Sequence, residues 1–118
     1  MGNKKMKKQI VMEDEKFQEE FMTIFSLGLI ECLEKNLIDS KRAEQWLFSP
    51  VIAYSLKTKK FSKKFIEAMR NASEIDAMVN TDYYLKNLQE IKRIFIDSLQ
   101  DLNKFPMDSS ESFLKEII

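Results

Sequence analysis

Apolar positions over residues 14–35 recur every three or four residues, which is the spacing that places side chains on one face of a helix. The residues of this stripe are Phe17, Phe21, Ile24, Phe25, Leu29 and Leu33. Gly28 lies inside the same stretch, and because glycine is unfavourable within a helix, we interpret it as the close approach of another helix. Asn36 tolerates the left-handed conformation and is the predicted end of this helix.

A second long stripe begins at Thr81 or Asp82 and predicts the last long helix, which Pro106 ends. Its apolar residues are Tyr84, Leu85, Leu88, Ile91, Phe95, Leu99 and Leu102. After Pro106, a short terminal helix is predicted from Ser110 to Ile118.

Short helical segments fill the stretch between the two stripes. Asp39 or Ser40 can cap the first, which should turn Trp46 inward. Ser49 can cap the second, because Pro50 then occupies its first turn, where proline is well tolerated. Apolar spacing predicts a third segment with these core residues: Phe61, Phe65, Ile66 and Met69.

A fourth short segment follows Ser73, and Asp76 three residues later resembles the acid of a capping box. No stretch of the chain sustains the period-two alternation that predicts strands. The fold class is therefore all-α, an irregular bundle of about five to six helices in which short helices connect two long ones. Residues 1–12 are interpreted as a flexible basic arm, and residues 13–118 as a single helical domain, which suits a chain of 118 residues.

Charge and cysteine content limit the cellular compartments and the classes of partner that fit this chain. The 19 basic and 19 acidic residues cancel, so no overall field favours nucleic acid or anionic lipid. The single Cys32 cannot form an internal disulfide, and no run of about eighteen apolar residues exists to span a bilayer. We expect a cytoplasmic protein that does not associate with a membrane.

Catalytic groups are sparse. The sequence contains no His, which removes the usual acid or base at neutral pH and the commonest nitrogen ligand of metals. Cys32 therefore lacks its usual activating base, and we interpret it as a core residue. No glycine-rich phosphate loop, calcium loop or nucleophile elbow is present. We expect a protein that is not an enzyme, with no catalytic residues, cofactor or metal.

Two charged regions are the candidate partner-binding surfaces. Acidic residues crowd the start of the first helix, among them Glu15, Glu19 and Glu20. The segment 57–70, called the basic segment below, holds six basic residues against the single acid Glu67. Its candidate contact residues are Lys59, Lys60, Lys63 and Lys64. A solvated helix face is the alternative explanation for both regions.

Aromatic residues cluster around Ser49 and Pro50 and form a group of four: Trp46, Phe48, Tyr54 and Phe61. We expect most of them in the core, since a small domain needs its large apolar side chains inside. Any that stay exposed would be natural anchors for a partner. The many Phe and Met residues could also form an apolar face through which two copies of the chain form a homodimer.

Three stretches together resemble an uncharacterised bacterial family of small helical proteins, a domain of unknown function. They are Phe25 to Ile30 (FSLGLI), Ala43 to Pro50 (AEQWLFSP) and Ser73 to Met78 (SEIDAM), and the resemblance spans roughly residues 17 to 100. The family pattern is an SLGLL helix, an AExxLFSP junction and a GTELEDV turn before its last long helix. At the third motif this chain keeps the acidic character at Glu74 and Asp76 but lacks the family's His.

The leading functional hypothesis is a protein-binding module, in its most concrete form a toxin-immunity protein whose shape and charge block the partner's active site. The alternative is a DNA-binding regulator that uses the basic segment, because clustered lysines neutralise phosphates. Against that alternative, the segment has few of the side chains that read base edges, with only Arg70 and Asn71 near its end.

Overall fold

A computed structural model of the protein describes residues 10–11, 15–103 and 116–117, with side chains over residues 16–103. Its helices are α1 (Glu15–Glu34), α2 (Ser40–Trp46), α3 (Pro50–Ser55), α4 (Lys63–Ala72), α5 (Ile75–Met78) and α6 (Tyr84–Leu102). A single 3₁₀ turn, Leu56–Thr58, follows α3. The predicted all-α bundle with two long helices and short connecting ones is confirmed.

Three of the predicted helix boundaries are present in the structure, whereas α6 begins at Tyr84, after the predicted start at Thr81 or Asp82, and has no side-chain cap. Asp39 caps α2 by accepting from the backbone N–H of Arg42 at 2.8 Å. Ser49 caps α3 by accepting from the backbone N–H of Ile52 at 3.2 Å. Asn36 has a φ of 57°, so it adopts the left-handed conformation predicted for the end of α1.

Helices α1 and α4 run parallel in a fixed register. Two hydrogen bonds connect them, from the Ser62 backbone N–H to Glu19 and from the Ser26 hydroxyl to the Met69 sulfur, and both join residues 43 positions apart. A constant sequence offset at two successive levels requires that both helices point the same way. The register therefore places the start of α4 beside the first half of α1.

Helix α6 runs antiparallel to this pair. Near its end, Ser98 Oγ lies 3.4 Å from Ser62 Oγ at the start of α4. Earlier in α6, the Lys92 ammonium contacts Glu34, the last residue of α1, at 3.1 Å. The three longest helices therefore form the centre of the bundle.

Aromatic rings fill the space between these helices. Phe65 on α4 and Phe95 on α6 are fully buried, with ring centroids 6.2 Å apart. Phe61 meets Phe65 edge to face at 5.4 Å, and Phe48 stacks on Phe95 at 6.4 Å. Because Phe48 lies between α2 and α3, this stacking fixes the α2–α3 junction on the core.

The buried face of α1 differs from the predicted stripe. Ile24 is exposed, and Phe17, Phe21 and Phe25 are only half-buried. The face that packs inward alternates by three and four residues through Glu19, Thr23, Ser26, Ile30 and Leu33. Polar side chains can be buried in the first half of this face because each of them forms a hydrogen bond. The Thr23 hydroxyl, for example, donates to the Glu19 carbonyl at 2.7 Å.

Gly28 does not mark a helix contact. It is exposed, and a Cβ added to it would meet nothing within 4 Å. The predicted close approach at this position is wrong, since the neighbouring helices pack against the opposite side of α1.

The predicted capping box at Ser73 and Asp76 is also wrong. The Ser73 hydroxyl donates backward to the Arg70 carbonyl at 2.6 Å, and no side chain caps α5. Asp76 instead accepts from the Ser40 hydroxyl on α2, which is a tertiary contact.

Two very short strands, β1 (Ile10–Val11) and β2 (Glu116–Ile117), pair antiparallel, with Ile10 opposite Ile117. Two residues are too few to produce the alternation from which strands are predicted. The predicted terminal helix is wrong at Glu116–Ile117, where the backbone bonds to another segment instead of to itself, and its remainder lies outside the described residues. Apart from β1, the predicted arm over residues 1–12 also lies outside them.

Candidate functional site

The four aromatic residues near Ser49 and Pro50 divide between core and surface. Phe48 and Phe61 are buried, as expected. Trp46 is 61% exposed and Tyr54 is 71% exposed, so the expectation that Trp46 turns inward is wrong. The reason lies two residues later, where Phe48 takes the core position against Phe95.

Trp46 is held in place although it is exposed. Its ring lies 5.9 Å from the ring of Phe25 on α1, which in turn lies 6.1 Å from Phe21. Tilted ring pairs at these distances are attractive beyond the apolar area that they bury. Phe25 therefore supports one side of the Trp46 ring, while much of the ring remains exposed to solvent.

Helix α3 presents a second set of exposed apolar side chains. Val51 is 79% exposed, and Tyr54 lies one turn later on the same side of the helix. No residue of α3 is buried, although the helix is capped by Ser49 and packs against α4. Trp46, Val51 and Tyr54, called the Trp46 surface below, thus fall within residues 46–54.

The basic segment begins beside this surface. The Lys57 ammonium lies 4.9 Å from the centroid of the Tyr54 ring, within the range of a cation–π contact. No Asp or Glu occurs over residues 45–66, a stretch that includes five lysines. Exposed apolar side chains and positive charge therefore lie next to each other.

The four predicted contact lysines, Lys59, Lys60, Lys63 and Lys64, are all exposed. Lys64 forms an ion pair with Asp101 on α6 at 3.1 Å, so its charge is partly neutralised. Lys60 also interacts within the chain. Lys63 and Lys64 open α4, which has no acidic residue in its first turn.

The predicted acidic surface is wrong at its central residue. Glu19 is only 3% exposed, and its carboxylate points into the bundle instead of toward a partner. Glu20 is half-buried, and the side chain of Glu15 lies outside the described part of the chain. The four lysines of the basic segment are therefore on the surface, whereas the Glu19 carboxylate is not available to a partner.

Glu19 has a structural role that the sequence did not indicate. Its Oε1 accepts from the backbone N–H of Ser62 at 2.7 Å, while Oε2 is buried without a hydrogen-bond partner among the described residues. The Ser62 hydroxyl in turn accepts from the Phe65 backbone N–H at 3.2 Å and caps α4. A carboxylate on α1 thereby fixes where α4 begins.

A second polar cluster joins α2 to α5. The Ser40 hydroxyl donates to Asp76 at 2.6 Å, and the Lys41 ammonium contacts the other carboxylate oxygen at 3.0 Å. The Ser40 hydrogen bond, followed by that from Lys41, lowers the pKa of Asp76. A carboxylate with a lowered pKa is a weak base, so this arrangement does not activate the Ser40 hydroxyl as a nucleophile.

Asp76 belongs to the third motif of the resemblance, and this cluster gives that motif a structural explanation. The acid fastens the short α5 to the first turn of α2.

An open groove of about 620 Å³ lies along α6 and includes Met78, Tyr83, Asn87 and Arg93 in its lining. Arg93 bonds to both Glu90 and Asp97, so the described acids neutralise its charge. The Asn87 amide donates to the Met78 sulfur at 3.3 Å. Asn87 and Arg93, two of the polar groups that line this groove, are thus already bonded to neighbouring side chains.

Within residues 16–103, no three His, Cys, Asp or Glu side chains are grouped so that they could hold a metal ion. Over the same part of the chain, none of the helices combines the length and the apolar character needed to cross a membrane.

Comparison with known proteins identifies a family. The family model described as protein of unknown function (DUF3969) matches residues 13–115, and the chain belongs to this family. Searches of curated proteins and of solved structures each give no match. Family membership confirms the resemblance to a domain of unknown function, while the bacterial source stays a prediction.

Proposed function

We propose that this member of the DUF3969 family is a non-enzymatic, cytoplasmic protein-binding module that holds its partner at the Trp46 surface. One observation carries the proposal. Trp46, Val51 and Tyr54 are 61%, 79% and 71% exposed within nine consecutive positions, residues 46–54. Large apolar side chains that are concentrated in this way are typical of protein interfaces.

The physical reason is the free energy that these side chains release when a partner covers them. Burial of apolar area contributes about 25 cal/mol per Å², and Trp and Tyr are among the residues that dominate binding energy in interfaces. Phe25 supports the Trp46 ring, so less side-chain entropy is lost on binding. The Trp46 side chain is therefore preorganised by its contact with Phe25.

The non-enzymatic part of the proposal rests on how the polar groups are used. The sequence has no His. Among the described residues, Glu19 is committed to Ser62 and Asp76 to Ser40 and Lys41. Each carboxylate holds two helices together, which is a structural use of the charge.

The most concrete form that we propose is toxin immunity. In this form the partner is a toxin, and the Trp46 surface covers the region of the toxin that reaches its substrate. A rigid helical core that presents a small apolar surface suits this task, since inhibition requires tight and specific capture but no chemistry from the inhibitor.

Capture experiments with matched variants test the proposal. We compare the wild-type chain with a Trp46→Ala/Tyr54→Ala variant and a Leu37→Ala/Tyr83→Ala control. The control removes an equally exposed pair, since Leu37 is 69% and Tyr83 is 66% exposed. Each tagged protein is exposed to lysate of its native cell, and the retained proteins are identified by mass spectrometry.

We expect one stoichiometric protein on the wild type and the control but not on the Trp46→Ala/Tyr54→Ala variant. Circular dichroism checks that the variants are folded. Retention of the same proteins by all three chains would overturn the proposal.

A DNA-binding regulator is the second candidate, and the exposed lysines of the basic segment favour it. The outward face of α4, however, carries Glu67 between Lys63 and Arg70, and a carboxylate there repels phosphate. Electrophoretic titration with duplex DNA at increasing salt tests this candidate. Binding that weakens steeply with salt, with a smaller slope after Lys59→Ala/Lys63→Ala, would support it.

A further inference from the structure

We infer that the segment of the partner that meets the Trp46 surface is acidic, with carboxylates beside its apolar contact residues. This inference rests on the proposed function and specifies the chemistry of the partner. It follows from the charge that surrounds the exposed apolar side chains.

The stretch of sequence around Tyr54 is rich in lysine. Residues 45–66 contain five lysines and no acid, and all five lysines are exposed. The Lys57 ammonium lies over the Tyr54 ring itself, 4.9 Å from its centroid. An incoming segment that covers Tyr54 therefore also reaches a positive charge.

Not every lysine is equally available to a partner. Lys64 is paired with Asp101, and Lys60 interacts within the chain. The inference is therefore carried by Lys57, Lys59 and Lys63, which make no ion pair with the described acids. Carboxylates at the rim of the interface would complement these three charges, accelerate association and exclude basic partners.

A protein segment fits the surface better than a membrane or a duplex does. Helix α3 has only six residues and exposes two large apolar side chains, an area much smaller than that of helices that insert into lipid headgroups. Duplex DNA would complement the lysines but would leave Val51 and Tyr54 facing phosphates and sugars. A segment with both apolar and acidic side chains satisfies both halves of the surface.

Selection from a random peptide library tests the inference without knowledge of the partner. Phage-displayed peptides are selected on the immobilised full chain, after removal of those that bind a Val51→Ala/Tyr54→Ala variant. We expect the enriched peptides to combine apolar residues with an excess of Asp and Glu over Lys and Arg. Enrichment of neutral or basic peptides, or no enrichment at all, would overturn the inference.

The binding constants are then measured through Trp46, the single tryptophan of the chain. Because Trp46 belongs to the proposed surface and is 61% exposed, we expect its fluorescence to change when a ligand covers this surface. The probe is the most enriched Trp-free peptide, synthesised as selected and with every acid replaced by its amide. We expect the amide version to bind roughly tenfold more weakly at low salt and the difference to narrow as salt rises.

Charge reversal in the protein provides the matched control. Lys57→Glu/Lys59→Glu/Lys63→Glu should weaken the acidic peptide by about tenfold or more. The single substitution Lys59→Glu should also weaken binding of the acidic peptide. Lys86→Glu on α6 changes the net charge by the same amount and should leave this binding unchanged. Equal effects of Lys59→Glu and Lys86→Glu would indicate a long-range field and overturn the assignment to this rim.

The outcomes separate this inference from the proposed function. Capture from lysate that depends on Trp46 and Tyr54, without any effect of the lysine reversals, would support the protein-binding function. It would show that the inference of an acidic partner is wrong. If neither set of variants matters, the proposed function fails as well. A Trp46 fluorescence shift with phosphatidylserine vesicles or duplex DNA, but none with the acidic peptide, would replace the protein partner with a membrane or a nucleic acid.

Discussion

The carboxylate of Glu19 on α1 accepts a hydrogen bond from the backbone N–H of Ser62, the residue that caps α4, at 2.7 Å. The two residues are 43 positions apart, and the Ser62 hydroxyl lies 3.4 Å from Ser98 on α6. This buried contact joins the three central helices at one level. It also sets the start of α4, and with it the position of Lys63.

Replacement of Glu19 tests the strength of this contact. We expect Glu19→Ala to lower the free energy of unfolding by about 1.5–3 kcal/mol, the usual contribution of a hydrogen bond to a charged group. Glu19→Gln should cost less, because the amide oxygen can still accept from Ser62. Urea denaturation measures both changes.

The control for Glu19 is Glu74→Ala, an exposed acid whose side chain does not cap α5. Its effect should stay within about 0.5 kcal/mol. If Glu19→Ala is no more harmful than Glu74→Ala, the contact with Ser62 does not stabilise the bundle.

Asp76 should make stability depend on acid pH. Hydrogen bonds from Ser40 and then Lys41 lower the pKa of its carboxyl in the folded state. The resulting stabilisation is fully present above pH 3.8, the ordinary pKa of an Asp carboxyl. It is lost as the pH falls through the lower pKa of the folded state. We therefore expect wild type to be more stable than Asp76→Asn at neutral pH, with the difference shrinking below about pH 3.8.

Urea midpoints of both chains at neutral, weakly acidic and strongly acidic pH measure this dependence. Asp82→Asn, the same substitution at an exposed acid before α6, is the control for the chemical change itself. A constant difference between wild type and Asp76→Asn at every pH would contradict the prediction.

Gly28 is a site at which the protein can be stabilised. It lies within α1, has no positive φ, and leaves open space where a Cβ would stand. Gly28→Ala should therefore raise the free energy of unfolding by about 0.5–1 kcal/mol, since alanine loses less backbone entropy in a helix. Thermal and urea denaturation check the gain.

Gly28→Pro is the opposite control, because proline within a helix costs about 3 kcal/mol or more. A loss of stability on Gly28→Ala would mean that another element approaches α1 at this position after all.

Core and surface aromatics should behave in opposite ways. Phe95 is fully buried between Phe48 and Phe65, so Phe95→Ala should cost about 3–5 kcal/mol. Tyr54 is exposed, and Tyr54→Ala should change the free energy of unfolding by no more than about 0.5 kcal/mol. Urea denaturation of both variants checks the contrast.

A large loss of stability with Tyr54→Ala would show that this side chain is needed for folding. The Trp46 surface would then have a structural role instead of being reserved for a partner.

The candidate site could be predicted from the sequence only in part. The basic segment was visible as a run of lysines, because charge composition is a property of the sequence itself. Exposure of Trp46 was not, since its burial depends on whether it or Phe48 enters the core, and both lie near the end of α2. The ring of Phe95, 47 positions after Phe48, decides between them.

The sequence by itself determined the helices of the bundle and several of their ends. Periodic apolar residues, the caps Asp39 and Ser49 and the left-handed Asn36 act over a few neighbouring positions, so a local pattern is sufficient. Only the tertiary structure decided which face of α1 turns inward. Glu19 and Ser26 can be buried there because each forms a hydrogen bond with a residue on or before α4. Those partners are 43 positions away in the sequence, and no local pattern specifies them.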